Sequence, residues 1–342
     1  MSLQAPLAGV RVVEFEGIGP GPVAGRILAA MGAEVTVIAR AQLGAVQRMG
    51  GTGENPLRAG KKIVVLNLKQ PDDVAQALDL VASSDALIEG NRPGVMERLG
   101  LGPEACKARN PRLVYGRMTG WGQSGPLAQA AGHDLNYVAL SGLLSLSARP
   151  GQAPIIPPTV IGDAGGALGL AFGIVCAVLD VRAGGPGRVV DAAILDVVAM
   201  LGTLVHWLHA ANQLGGTVPS AFHDSPQYEV YECADCRHVT VGALEPQFYA
   251  LLLNKLGMDD VDPAQQLDTA RWPALKARFA AAFRQRTRDE WCALLEGTDV
   301  CFAPVLTIAE AAAHPHNIAR GLFPRTAAGA IDTQVAPRFA PL

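Results

Sequence analysis

No run of lysine or arginine occurs in this 342-residue chain, whose 28 basic and 31 acidic side chains nearly cancel. Without a stripe of positive charge to follow a phosphate backbone, nucleic acid is not an expected partner. The opening residues, Met-Ser-Leu-Gln-Ala-Pro, offer neither the basic nor the apolar part of a secretory signal. Cysteines number six (Cys106, Cys176, Cys233, Cys236, Cys292 and Cys301) and are scattered, which predicts reduced thiols and a cytoplasmic location rather than a disulfide framework. The longest apolar run, residues 164–179, contains four glycines and lies between Asp163 and Asp180. It falls short of the roughly 20 residues a membrane span requires, so a buried helix is expected and no membrane partner. No internal repeat is present.

What the chain does have is apolar mass, at 49% of residues, enough for one large core or a main domain with a smaller companion. A strand at 11–15, a Gly/Pro turn at 17–22, an apolar-periodic helix at 23–31 and a strand at 34–38 make a βαβ unit. The alternation continues with strands at 63–68, 86–89 and 113–118 and helices at 71–82 and 103–108, predicting a Rossmann-like, doubly wound parallel sheet of the α/β class. Gly/Pro-rich loops at 119–134 and 148–162 are where such sheets assemble sites. Residues 191–211 are predicted helical and 212–227 a linker or ordered loop. Two alternating strands, 228–233 and 238–243, surround a turn at 234–237, and helices follow at 247–256, 272–285 and 288–295, a small α+β unit. The tail from 326 has little periodicity.

The first turn, Gly19-Pro20-Gly21-Pro22-Val23-Ala24, fits the G-x-G-x-x-A dinucleotide fingerprint. Prolines 20 and 22 remove amide donors that would cradle a pyrophosphate, and no acidic residue ends the second strand. Arg40 stands there instead, suited to a ribose phosphate of NADP or of coenzyme A, or simply to solvent. Arg58, Lys61, Lys62, Lys69 and Arg92 lie near other strand ends, where lysines are usually solvated. The sharpest polar pair is His133, in Gly132-His133-Asp134-Leu135-Asn136-Tyr137, with Asp163, in Gly162-Asp163-Ala164-Gly165. An N-cap explains the aspartate and a hydrogen-bonded structural imidazole the histidine equally well. Glu245 before Pro246 reads first as a helix-start carboxylate. Cys233-x-x-Cys236 with His238 lacks the second pair that structural zinc needs, so no metal is expected and the thiols flank a hairpin. His206, His209, His314 and His316 carry no signal.

Along 7–338 these residues resemble the family III CoA-transferase (CaiB/BaiF) superfamily and, within it, the racemases of α-methylacyl-CoA thioesters. The likeness is carried by Gly17 to Pro22, Gly32-Ala33, Arg40, Leu66-Asn67-Leu68-Lys69, Arg92-Pro93-Gly94-Val95, Thr119 to Gln123, Gly132 to Tyr137, Gly162-Asp163, Glu245 to Tyr249 and Cys301 to Val305. It implies a 2-methyl-branched acyl-CoA substrate, with Arg40, Leu66, Asn67, Leu68, Lys69, Arg92, Gly132, Asp134, Asn136 and Tyr137 at the CoA site. It also implies an interlocked homodimer with its site between subunits, Glu245 of one chain orienting His133 of the other. The implied organisation is a large domain, 1–200 completed by 303–342, a linker at 201–227 and a small domain at 228–302.

The resemblance assigns proton transfer to His133 and Asp163, and the chemistry fits. A thioester α-C–H is a weak acid, so a positioned base must remove its proton and a donor must stabilise the enolate oxygen. Backbone amides of Ala164 or Gly165 are candidate donors. Glu245 would fix the imidazole tautomer. Nothing beyond the CoA of the substrate is required as cofactor. Transferases of the same superfamily instead use the matching aspartate as an acyl-accepting nucleophile, without a histidine at the preceding site. The presence of His133 favours the racemase. Two departures bear on specificity: Thr159 stands where the racemase pattern has asparagine, and Phe222 to Gln227 replaces Leu-Asp-Gly-Gly-Ala-Pro.

Overall fold

A computed structural model describes residues 4–41, 55–148 and 151–341. Residues 1–3 of the N-terminal segment, 149–150 of the second Gly/Pro-rich loop and 342 of the tail lie outside these ranges. The chain divides into two units, Met1–Gly202 with Gly321–Leu342, and Thr203–Arg320. The second unit thus takes in most of the stretch expected as a linker, together with 303–320, expected in the large domain.

The first unit runs β1 (Arg11–Phe15), α1 (Pro20–Ala30), β2 (Glu34–Ala39), β3 (Lys62–Val65), α2 (Pro71–Ala82) and β4 (Ala86–Glu89). It continues through α3 (Val95–Arg98), α4 (Pro103–Arg109), β5 (Val114–Thr119), α5 (Asp134–Leu140), α6 (Gly165–Arg182), β6 (Arg188–Ala193) and α7 (Ile194–Leu201). Its six strands lie parallel in the order β3-β2-β1-β4-β5-β6, the doubly wound arrangement expected. Alternation divides the core between two faces. Val12, Ile88 and Val114 meet Ala24 and Leu28 of α1 and Leu170, Ile174 and Val178 of α6. Val13, Leu87 and Tyr115 meet Ala77 and Val81 of α2 and Cys106 of α4.

Three elements differ from expectation for identifiable reasons. Helix α1 starts at Pro20, not at residue 23, because prolines in the first turn give up amides that no helical carbonyl needs. Residues 191–193, read as helical, end the edge strand β6, with Thr119 paired to Ala193; α7 follows without a break, so the sequence carries no punctuation between them. Helix α6 was expected to be buried, and one side is, the side chain of Val197 filling the space a Cβ on Gly169 would need. Its other side leaves Leu168, Phe172 and Leu179 more than half exposed. The helix is long and apolar enough to cross a membrane by composition, but it forms one wall of the first core.

The second unit comprises α8 (Thr203–Ala210), β7 (Tyr228–Glu232), β8 (His238–Gly242), α9 (Pro246–Lys255), α10 (Trp272–Phe283), α11 (Arg288–Leu295), β9 (Phe302–Pro304), α12 (Ile308–Ala313) and α13 (Pro315–Ala319). Strands β7, β8 and β9 form an antiparallel sheet in that order. Its core is aromatic: Tyr231 stacks on Phe283 at 4.9 Å between ring centroids, and Phe283 meets Trp291 at 5.0 Å. Cys233 and Cys236 flank the β7–β8 turn, closed by the Cys236 amide donating to the Cys233 carbonyl.

Candidate active site

In a sheet of this order the crevice opens beyond the carboxyl ends of β1 and β4, where the winding direction reverses. Gly19 ends the β1 turn with φ 67° and ψ −125°, a conformation open in practice only to glycine. A Cβ there would come within 3.1 Å of Asp163 Oδ2, so the Asp163 carboxyl rests on the first turn of the fold. Asp163 itself lies in one π-helical turn, Val160–Ala164, ahead of α6, and Thr159 enters that turn at φ 65°.

Helix α5, not anticipated from sequence, brings His133 to the same place. His133 occupies the N-cap position with extended backbone, its amide donating to Asn136 Oδ1 at 3.0 Å. The next residue, Asp134, is buried, and its two carboxylate oxygens accept the amides of Asp163 at 2.8 Å and Thr159 at 3.1 Å. One turn on, Tyr137 packs edge-on against Trp121, with 4.7 Å between centroids, and its hydroxyl donates to the Gly132 carbonyl. Burial first, and then the like charge of Asp134, raise the Asp163 carboxyl above the usual aspartate range, while His133 pulls it back. Burial likewise raises Tyr137, with Asp163 adding to the effect and Arg92 opposing it. The electrostatics therefore join His133, Asp134, Tyr137, Arg92 and Asp163 in one constellation.

The other candidates fall in two places. Arg40 follows β2 and Leu66 to Lys69 follow β3, neighbours through parallel pairing, with the Leu66 amide on the Ala39 carbonyl. The Arg40 amide donates to Glu16 Oε2 at 3.0 Å. Leu66 is buried, whereas Arg40, Asn67 and Lys69 are exposed and Leu68 is intermediate. Asn67 shapes the turn, its Oδ1 accepting the Lys69 amide at 3.2 Å. Glu245 belongs to the second unit, where it is exposed at the N-cap of α9 without capping it by its side chain. The amides of Ala164 and Gly165, expected to face an enolate, donate to the carbonyls of Thr159 and Gly162 instead. A π turn closes on its own carbonyls and leaves those donors spent.

Sequence reasoning missed the buried charges below the strand ends. The side chain of Lys61, expected to be solvated, is fully buried and its Nζ lies 2.6 Å from Glu14 Oε2 and 2.9 Å from the Pro22 carbonyl. Burial drives Glu14 up to about 7 and Lys61 down. At the end of β4, burial also pushes Glu89 up to about 7, against the opposing pull of the Asn91 amide and Arg117. Arg117 binds Gln123 Oε1 at 2.6 Å and pairs with Glu97. The available signal was a glutamate inside each apolar strand, Val-Val-Glu-Phe and Leu-Ile-Glu. Among the described residues, no cluster of His, Cys, Asp and Glu is arranged to hold a metal ion.

Residues 7–341 match CoA-transferase family III. Over 327 residues the chain is 42% identical to the α-methylacyl-CoA racemase of Mus musculus, covering 93% of this chain and 82% of that protein. Over 348 residues it is 40% identical to the α-methylacyl-CoA racemase of Homo sapiens, covering 98% and 86%. Among solved structures, a CaiB/BaiF family protein from Brucella suis superimposes with a TM-score of 0.83 at 25% identity, covering 99% of this chain and 93% of that one.

Proposed function

The chain belongs to CoA-transferase family III, and on that premise we propose that it is a racemase of 2-methylacyl-CoA thioesters acting through His133 and Asp163. The observation that carries this reading is one short helix: α5 is capped at its start by His133, and its first residue, Asp134, holds the turn bearing Asp163. Racemisation requires that, of two groups addressing one substrate carbon, one can take a proton while the other can give one. One removes the α-proton, the thioester carbonyl takes up the charge as an enolate, and the other returns a proton to the opposite face. Burial and the Asp134 charge, by raising Asp163, bring its proton affinity toward that of an imidazole. This makes exchange of roles between the two directions less costly. The steps use acid/base chemistry alone, and CoA enters as part of the substrate.

Arg40, Leu66 to Lys69 and Arg92 flank the same strand ends and suit the nucleotide and phosphates of CoA, the exposed cations Arg40, Lys69 and Arg92 supplying the charge. A second copy of the chain is the proposed cover for the exposed Leu168, Phe172 and Leu179 of α6, since apolar patches of this kind mark interfaces. In that interlocked homodimer, Glu245 would reach the His133 of the other subunit. Six free cysteines support a reducing, cytoplasmic setting.

Incubation of a single 2-methylacyl-CoA epimer with the enzyme in deuterated water tests the reading. Incorporation of α-deuterium together with loss of stereochemical purity is expected. Absence of exchange over a panel of branched acyl chains would overturn it, and an Asp163 acyl adduct trapped by hydroxylamine would point to transferase chemistry instead.

A further inference from the structure

We propose that Asp134 is the positioning residue of the acid/base pair, holding the 159–164 turn so that the Asp163 carboxyl is presented to the substrate opposite His133. The inference rests on the racemase reading. Asp134 is only 7% exposed, and each of its oxygens is committed to an amide, Asp163 at 2.8 Å and Thr159 at 3.1 Å. A carboxylate so engaged has little left to offer a CoA ester, which separates Asp134 from the exposed cations nearby.

The tether is built, not incidental. Asp134 lies 29 residues from Asp163 and 25 from Thr159, so folding alone brings the three together. Thr159 accepts a left-handed backbone at φ 65°, a conformation that a β-branched residue adopts only when its surroundings impose it. A Cβ on Gly162 would stand 2.3 Å from Asp134 Oδ1; glycine is what lets the carboxylate reach the turn. Because His133 and Asp134 share a peptide bond, one anchor fixes the backbone of both proton-transfer residues.

The anchor also sets the proton affinity of what it holds. Among the described residues, the titratable groups facing Asp163 are His133 at the N-cap of α5 and Asp134 and Tyr137 on that helix, while Gly19 faces it from the α1 turn without charge. Replacing Asp134 by asparagine keeps one acceptor, sets an NH2 group against the other amide, and removes the negative neighbour. Turnover should fall while substrate binding persists, and the proton affinity of Asp163 should decline.

The experiment measures α-deuterium exchange and its pH profile for the wild-type enzyme, Asp134→Asn and Gly162→Ala, with far-UV circular dichroism as the control for folding. For Asp134→Asn we expect kcat to drop by about 10- to 100-fold with KM changed less than about 3-fold. In the direction in which Asp163 takes the proton, the acid limb should move to lower pH. Gly162→Ala, which displaces the carboxylate without removing it, should lower kcat in the same way and supplies the answer if Asp134→Asn does not fold. Wild-type kcat with an unmoved acid limb in a folded Asp134→Asn protein, or wild-type turnover in Gly162→Ala, would overturn the positioning role while leaving the racemase reading intact. Failure of the wild-type enzyme to exchange would instead remove the reading on which the role depends.

Discussion

The two units of this chain use charge in opposite ways. In the first, ionisable groups are taken inside: Glu14 with Lys61 and Glu89 with Arg117 lie almost wholly out of water near the ends of β1 and β4. In the second, most ion pairs sit at the surface, as in Arg278 with Asp260 and Arg284 with Glu232, and the interior is an aromatic stack of Tyr231, Phe283 and Trp291. The second arrangement is what stability alone favours, since buried charge costs more in desolvation than most pairs return. The first is expected where a fold must hold polar groups in a dry and fixed frame. The difference teaches that the first unit gives up stability to hold polar groups near the ends of β1 and β4, while the interior of the small unit is built for packing.

This contrast can be broken at several points. The largest effect is expected at the proposed proton-transfer pair: His133→Ala or Asp163→Ala should lower epimerisation about 10²- to 10⁴-fold, as read by chiral separation of the acyl product, with acyl-CoA binding retained in calorimetry. Glu245→Ala, which removes the carboxylate that the proposed homodimer sets against His133, should be slowed less.

Packing comes next. Phe283→Ala should destabilise the second unit by about 3–5 kcal/mol through loss of area and the cavity left behind, seen as an earlier urea transition. Lys61→Met should be comparably costly, about 3–5 kcal/mol, because it strands Glu14 in the interior. The paired change of Glu14→Gln with Lys61→Met should recover much of that loss. If the single change proves silent, the buried pair is not the constraint the contrast requires.

A smaller effect concerns pH. Glu89 binds its proton more tightly folded than unfolded, with its value raised from 4.5 to about 7. The folded state therefore holds the extra proton between those values, so this contribution to stability is present below about 4.5 and is lost as pH rises through about 7. Glu89→Gln should flatten the decline across that window and raise stability at pH 8 by roughly 1–3 kcal/mol, measured by denaturant midpoints at each pH. Smallest of all, Arg284→Ala in the second unit should cost less than about 1 kcal/mol, since both partners of its ion pair are exposed.

Much of the fold was legible in the order of residues. Short apolar segments bounded by turn residues located β1, β2 and β4. The alternation of strands and helices specified a doubly wound sheet, and His133 and Asp163 stood out as polar residues in glycine-rich apolar surroundings. Other features were not legible because their cause is non-local. Strand β6 is an edge strand running straight into α7, and its hydrogen bonds to β5 identify it where its own residues do not. Lys61 reads as a surface residue until Glu14, 47 positions earlier, is folded against it.

The sequence by itself determined which chemistry was available: an imidazole, a carboxyl group and exposed cations at strand ends, within a family whose pattern spans residues 7–341. It also determined the layering of the sheet, since side-chain periodicity is a local property of the backbone. Only the tertiary structure decided that the amides of Ala164 and Gly165 are spent within their own turn, and that Asp134 grips the turn of Asp163 rather than pointing to solvent. The grip joins residues 29 apart in sequence, and no local pattern encodes where partners so distant come to rest.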